Sequence, residues 1–241
     1  MAESRTAQES LSERFENIKT RINRGLQRGR RSQDHITLVA VSKTHPASLI
    51  NDLIVFGATD FGENRVQEAE PKIAEVGRSR ARWHLVGHLQ ANKARRAVKL
   101  FDVIHSLDSI ELARRLDRLC EEEEVPSLSV LIQVDLGVEE SKSGVLEADL
   151  KELAVEIKSC ERLRLNGLMT LPPFFDNPED TRPFFIKLRE LRDDLARDGV
   201  FANGVGDLSM GMTHDFEIAI EEGATMVRIG TAIFGERAQL G

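Results

Sequence analysis

Eight short runs rich in β-branched residues recur along this chain, each followed by a longer segment of helical spacing, and no other feature restricts the fold as strongly. The runs fall at 36–41, 59–62, 83–86, 102–105, 129–134, 165–169, 206–209 and 226–229. The helical segments fall at 46–56, 66–76, 91–100, 110–122, 147–158, 178–197, 215–222 and 231–239. Runs such as LVAV and VLIQV are apolar at consecutive positions, as in a parallel strand buried on both faces; an exposed antiparallel sheet would alternate. Eight successive βα units close naturally into a cylinder, whereas a doubly wound open sheet usually takes five or six strands and reverses their order. The expected architecture is α/β, a single (β/α)8 TIM barrel.

The 241 residues match the roughly 250 of such a barrel. No linker rich in Pro, Gly or Ser interrupts them, so the expectation is one domain over 1–241. An amphipathic helix at about 8–29 precedes the first unit, with Leu11, Phe15, Ile18, Ile22 and Leu26 on one face. Its arginines invite a presequence reading, but the interspersed Glu3, Glu9, Glu13 and Glu16 favour a helix packed on the domain. The basic stretch 28–31 reads as the exposed end of that helix, with contact to something acidic as the alternative.

Charge and cysteine usage narrow the function classes. With 33 Lys+Arg against 40 Asp+Glu the net charge is −7, which argues against nucleic-acid or anionic-membrane binding through overall charge. No apolar run reaches the ~18 residues of a membrane span. Cys120 and Cys160 have neither CxxC spacing nor a His pattern, so neither a disulfide framework nor a zinc site is indicated, and a reducing cytoplasm fits.

In a barrel of this kind chemistry sits on the loops leaving the C-terminal strand ends. Those positions here carry Ser42-Lys43-Thr44, Gly62-Glu63-Asn64, Gly87-His88, Asp135, Ser209-Met210-Gly211 and Gly230-Thr231. Lys43 follows four apolar residues; near a low-dielectric mouth its ammonium is disfavoured and the amine becomes a nucleophile toward carbonyls. The competing reading is a lysine snorkelling to solvent. The loops after strands 7 and 8 are where barrels commonly hold phosphate, and Ser209, Gly211, Gly230 and Thr231 supply hydroxyls and approachable backbone, or else only turns and a cap. Arg228 lies inside an apolar strand and needs a partner: a ligand ring or anion, or a neighbouring carboxylate such as Asp215 or Glu217.

Other features point to ordinary roles. His84 and His88, four apart on a strand and its loop, do not share a face as they would on a helix, so a metal pair is not expected. Lys93, Arg95, Arg96 and Lys99 read as the solvated side of a helix, facing carboxylates of neighbouring helices.

The segments VAVSKTHP, FGENRVQE, WHLVGHLQANK, ESKSG, GLMTL, LSMGM and VRIGTAIFG, in this order between 39 and 235, resemble the YggS/PLPBP family of pyridoxal phosphate homeostasis proteins, whose barrel is of the alanine racemase type. The resemblance implies a (β/α)8 barrel without the second β domain of the racemases. It further implies that Lys43 holds the aldehyde of pyridoxal 5'-phosphate as an aldimine, that Asn64 lies beside the ring, that Ser209, Gly230 and Thr231 bind the phosphate with Met210 also among the cofactor-binding residues, and that Arg228 faces the pyridine nitrogen. Arg65 and His88 stand where many relatives have tyrosine and proline.

The same cofactor can be carried or used. Arginine is not deprotonated in proteins, so Arg228 donates to a ring nitrogen without making it a pyridinium, and the ring stays a weak electron sink. Racemisation also needs a second acid/base, a tyrosine in the related racemases, and this chain has no tyrosine. His88, with an imidazole suited to proton transfer, is the candidate substitute. The expected function is thus a reservoir that binds pyridoxal phosphate and releases it to apo-enzymes met transiently, acting as a monomer in the cytoplasm. The alternatives are an amino-acid racemase or related enzyme and a barrel aldolase with a reactive lysine. Lys142, in the ESKSG loop, is a candidate for a transient second linkage or a solvated lysine.

Overall fold

The computed structural model describes residues 9–137 and 143–235. Eight parallel strands form a closed barrel in sequence order: β1 (Thr37–Val41), β2 (Asp60–Glu63), β3 (Arg82–Leu85), β4 (Val103–Leu107), β5 (Leu128–Gln133), β6 (Leu163–Met169), β7 (Asp207–Ser209) and β8 (Met226–Ile229). Closure is made by β8 against β1, with Val39 paired to Arg228. Around it lie α2 (Ala47–Val55), α3 (Val66–Val76), α4 (Ala94–Leu100), α5 (Ile110–Glu122), α6 (Glu147–Ser159), α7 (Arg182–Arg197), α8 (Phe216–Glu221) and α9 (Thr231–Phe234), after an N-terminal α1 (Leu11–Arg28). The expected barrel and its eight units are present.

The boundary differences have local causes. Two expected helices begin as 3-10 turns, at Ala91–Lys93 before α4 and at Pro178–Thr181 before α7, where the side chain of Asn177 caps the amide of Glu179. The last helix ends at Phe234 because Gly235 takes φ +88°; the remainder of the expected 231–239 segment lies outside the described residues. The first helix is Leu11–Arg28 instead of 8–29: Ser10 caps it, accepting from the amide of Glu13, whose carboxylate accepts from the Ser10 amide. Phe15, Ile18, Ile22 and Leu26 are buried as expected, and Gly25 lets α1 approach α8, since a Cβ there would sit 3.2 Å from Ile220.

Most of the apolar core lies between strands and helices, with Trp83, Phe61, Phe101 and Phe185 fully buried. The barrel lumen is different. Beside Val39, Val41, Val86, Val103, Leu131, Met169 and Met226 it holds the buried polar residues His84, His105, Ser209 and Arg228. His105 on β4 meets Ser209 on β7, three strands away, which is possible only across the lumen.

Burial lowers the pKa of both His84 and His105, well below the ordinary imidazole value for His105, where nearby positive charge adds to it. The unfolded chain therefore binds more protons than the fold just below pH 6.5, and stability falls as pH drops through that window. Each histidine contributes up to about 1.4 kcal/mol per pH unit there. Thermal unfolding followed from pH 7 to 5.5 should show this decline. Burial raises the carboxyls of Glu63, Asp207 and Asp215, which oppose the trend at lower pH.

Candidate functional site

A cavity of about 530 Å³ opens at the C-terminal strand ends. Lys43, Asn64, Arg228, Gly230 and Thr231 line it, and Val41, Val86, Leu171, Pro172, Phe174 and Met212 give it apolar walls. Its size and its few polar groups on an apolar lining are those of a small-molecule site.

Lys43 is half-buried, two residues past the end of β1. The turn that carries it runs from Ser42 to His45, whose amide donates to the Ser42 carbonyl, and Thr44 takes φ +65°, a strained backbone for a β-branched residue. What holds this turn is underneath it. The Ser42 hydroxyl donates to Glu63 Oε1 at 2.6 Å, while Lys72 Nζ on α3 donates to the same oxygen at 2.7 Å and to the Ser42 carbonyl at 2.8 Å. Glu63 is fully buried and its Oε2 has no hydrogen-bond partner among the described residues. Burial raises its pKa, and the bonds from Lys72 and Ser42 oppose that.

Asn64 follows Glu63, and Gly87 packs against it so tightly that a Cβ at Gly87 would lie 2.3 Å from the Asn64 carbonyl oxygen. Only glycine lets these two loops close the wall. Opposite, Gly211 takes φ +93°, and a Cβ there would also meet Ala219 at 2.6 Å; its carbonyl accepts from the Arg228 amide. Asp215 accepts from the Met212 amide at 2.7 Å, shaping the Thr213–His214 turn that completes the rim.

Arg228 is the buried charge of this cavity, beside the half-buried Lys43. It is 4% exposed, and no carboxylate among the described residues lies within ion-pair distance of it. Nη1 donates to Ser209 Oγ at 2.6 Å and Nη2 to the Thr170 carbonyl at 2.8 Å, accounting for two of five N–H groups. Burial lowers its pKa to about 10, with Asp215 opposing from a distance. Glu217, the other expected partner, pairs instead with Arg21 and Arg28 of α1.

The model of the family described as alanine racemase, N-terminal domain, matches residues 17–238. A pyridoxal phosphate homeostasis protein of Aquifex aeolicus is 43% identical over 225 residues, covering 93% of this chain and 97% of that protein. That of Escherichia coli K12 is 43% identical over 223 residues, covering 91% and 94%. The chain belongs to the pyridoxal phosphate homeostasis proteins of the alanine racemase N-terminal domain family. The solved structure of PipY from Synechococcus elongatus PCC7942, with pyridoxal phosphate bound, superposes with a TM-score of 0.81 at 36% identity, covering 94% of this chain and 100% of that one. Alanine racemase from Corynebacterium glutamicum shares the fold at 18% identity and a TM-score of 0.65, with 92% of this chain on 62% of that one.

Within this homeostasis-family barrel, five of the seven residues expected at the site line one cavity; Ser209 and Met210 do not. Both are fully buried, and the Ser209 hydroxyl is engaged by Arg228 and His105. The loop gave no sign that its first residue still belongs to the lumen. His88 lies outside the cavity, half-exposed in a neighbouring groove with Asp108 at 3.5 Å. His84 faces the lumen, so the two histidines are apart, and no cluster of three or more metal-ligating side chains exists among the described residues. Arg95, Arg96 and Lys99 pair with Glu70, Glu122 and Glu123 of neighbouring helices, as expected. Lys142 lies outside the described residues. Thr213, His214 and the Leu171-Pro172 wall were not foreseen; the only trace in the sequence is the TLPPFF stretch after strand 6, too irregular for a strand or helix.

Proposed function

We propose that this cavity binds pyridoxal 5'-phosphate and that the protein serves as a reservoir for it. The observation that carries the reading is the union, in one cavity, of a half-buried lysine amine with a buried guanidinium that no carboxylate of the described residues contacts. A ring nitrogen, which accepts but brings no charge to be neutralised, suits Arg228. Lys43 Nζ adds to the aldehyde carbon, and loss of water leaves the carbon–nitrogen double bond of a Schiff base. The amides opening α9 have no acceptor inside the helix and, with the Thr231 hydroxyl, suit the phosphate; Thr213 faces the same space. Ser209 and Met210 act there as support from below. Asn64 and the apolar walls take the ring.

Bound, the cofactor would supply an electron-withdrawing ring; the residues present favour holding it over using it. No tyrosine occurs in the chain, and His88, the other candidate for a second acid/base, lines a neighbouring groove. Release follows when an incoming amine replaces Lys43 at the carbon, with Lys43 Nζ leaving as the free amine. In this reading a cytoplasmic monomer passes the cofactor to apo-enzymes met transiently.

Borohydride reduction of the loaded protein followed by peptide mapping tests the linkage. Label on Lys43 alone is expected; label on Lys142 as well would establish the second linkage, and none on Lys43 would refute the site. Exchange of the α-proton of added amino acids with solvent at enzymatic rates would replace the reservoir by the racemase reading, and a protein with a reactive lysine but no chromophore would point to an aldolase.

A further inference from the structure

The lumen contains an unbroken hydrogen-bonded chain that begins at Arg228 and ends at the far side of the barrel. Arg228 Nη1 donates to Ser209 Oγ at 2.6 Å; Ser209 Oγ and His105 Nδ1 are 2.9 Å apart; His105 Nε2 and His84 Nδ1 are 2.8 Å apart; His84 Nε2 and Asp60 Oδ1 are 2.9 Å apart. Asp60 opens β2, at the N-terminal end of the cylinder, where its side chain is 14% exposed. Ser209, His105 and His84 are fully buried.

Counting protons gives the chain a direction. Arginine can only donate, and an ionised carboxylate can only accept. Ser209, already accepting from Arg228, has one proton, and His105 Nδ1 is positioned to take it. His105 then carries its own proton on Nε2 and donates to His84 Nδ1, and His84 carries its proton on Nε2 and donates to Asp60. Every link is satisfied with both histidines neutral, and each bond dipole points from the cation at the cavity to the anion at the opposite mouth. Burial raises the Asp60 pKa, but the bonds from His84 and Thr59 outweigh it and hold the carboxyl below its ordinary range.

We propose that this relay positions Arg228: Asp60, acting through His84, His105 and Ser209, fixes the direction of the hydrogen bonds and so turns the remaining guanidinium N–H groups toward the cavity. It explains how a buried cation with no contacting carboxylate among the described residues is tolerated, since its counter-charge is delivered through polarised bonds. Asp60, His84 and His105 are positioning residues, not ligand contacts. The proposal rests on the pyridoxal phosphate reading for what Arg228 faces, but the proton order stands without any ligand.

Two measurements test it. In the ligand-free wild-type protein, nitrogen-15 NMR of the histidine rings at pH 7 should show His84 and His105 both as the neutral Nε2–H form; an Nδ1–H or doubly protonated ring at either position overturns the relay. In the second, Asp60→Asn keeps the size of the side chain but removes the charge that sets the direction. It is expected to bind pyridoxal phosphate at least about fivefold more weakly, the lower end of couplings between distant sites, and to shift the absorption maximum of the bound cofactor. If wild type binds and a folded Asp60→Asn variant matches it in affinity and spectrum, the relay has no positioning role while the binding reading survives. If wild type takes up no pyridoxal phosphate, the binding reading fails, and with it the positioning role. If the variant does not fold, His84→Gln gives the same readouts from the next link.

Discussion

Lys72→Met is expected to destabilise the protein by about 3–5 kcal/mol, the usual effect of removing one partner of a buried ion pair. Glu63 is fully buried and Lys72 is 12% exposed, so the carboxylate left behind has little access to water. Its second oxygen already lacks a hydrogen bond, and the Ser42 hydroxyl alone remains on the first. For a chain of this length that loss corresponds to a fall in melting temperature of about 6–20 °C. The sign with pH is a second check. Glu63 has a raised pKa in the fold, and without Lys72 it rises further, so the variant recovers as pH falls toward that pKa and loses more as pH rises through it. Combining Lys72→Met with Glu63→Gln removes the stranded charge and should restore part of the loss. A single variant as stable as wild type, or a double variant no better than the single, would show that the pair does not act as described.

Lys43→Ala is expected to weaken pyridoxal phosphate binding at least about a hundredfold, or about 2.7 kcal/mol, and to abolish the chromophore that survives gel filtration. The change removes the Schiff base but leaves Arg228, Asn64, Gly230 and Thr231 in place, so residual non-covalent binding should persist and be displaced by phosphate. Because Lys43 is half-buried on a turn held by Ser42, Glu63 and Lys72, its truncation opens no core cavity, and the fold should be retained. Equilibrium titration followed by absorbance, with thermal unfolding as the control for folding, measures both. Unchanged affinity would mean that the lysine reads as a bystander at the mouth.

The parts of the site that were readable lie at chain positions with a topological address. A residue one or two places past a β-branched run must stand at the C-terminal rim once eight βα units close, so Lys43, Asn64, Gly230 and Thr231 could be assigned to one rim before any coordinate. For Ser209 and Met210, which are fully buried, chain order alone does not say which atoms reach the cavity. Rim and floor differ by one residue of register, and in strands apolar on both faces no alternation shows which side chains point inward. The Glu63–Lys72 pair was hidden for another reason: α3 brings together residues nine apart across a loop and two turns of helix, and neither type announces burial.

Local sequence was sufficient for the alternation of strand and helix, the number of units and hence the cylinder, and also for the rim lysine, because all of these follow from periodicity and order along the chain. Which polar groups meet inside the cylinder was settled by tertiary structure alone. Asp60, His84, His105, Ser209 and Arg228 come from four spans of 24, 21, 104 and 19 residues, and only closure of the barrel makes them neighbours. The physical reason is that burial obliges each buried polar group to find a partner, whereas geometry, not sequence distance, decides which one is within reach.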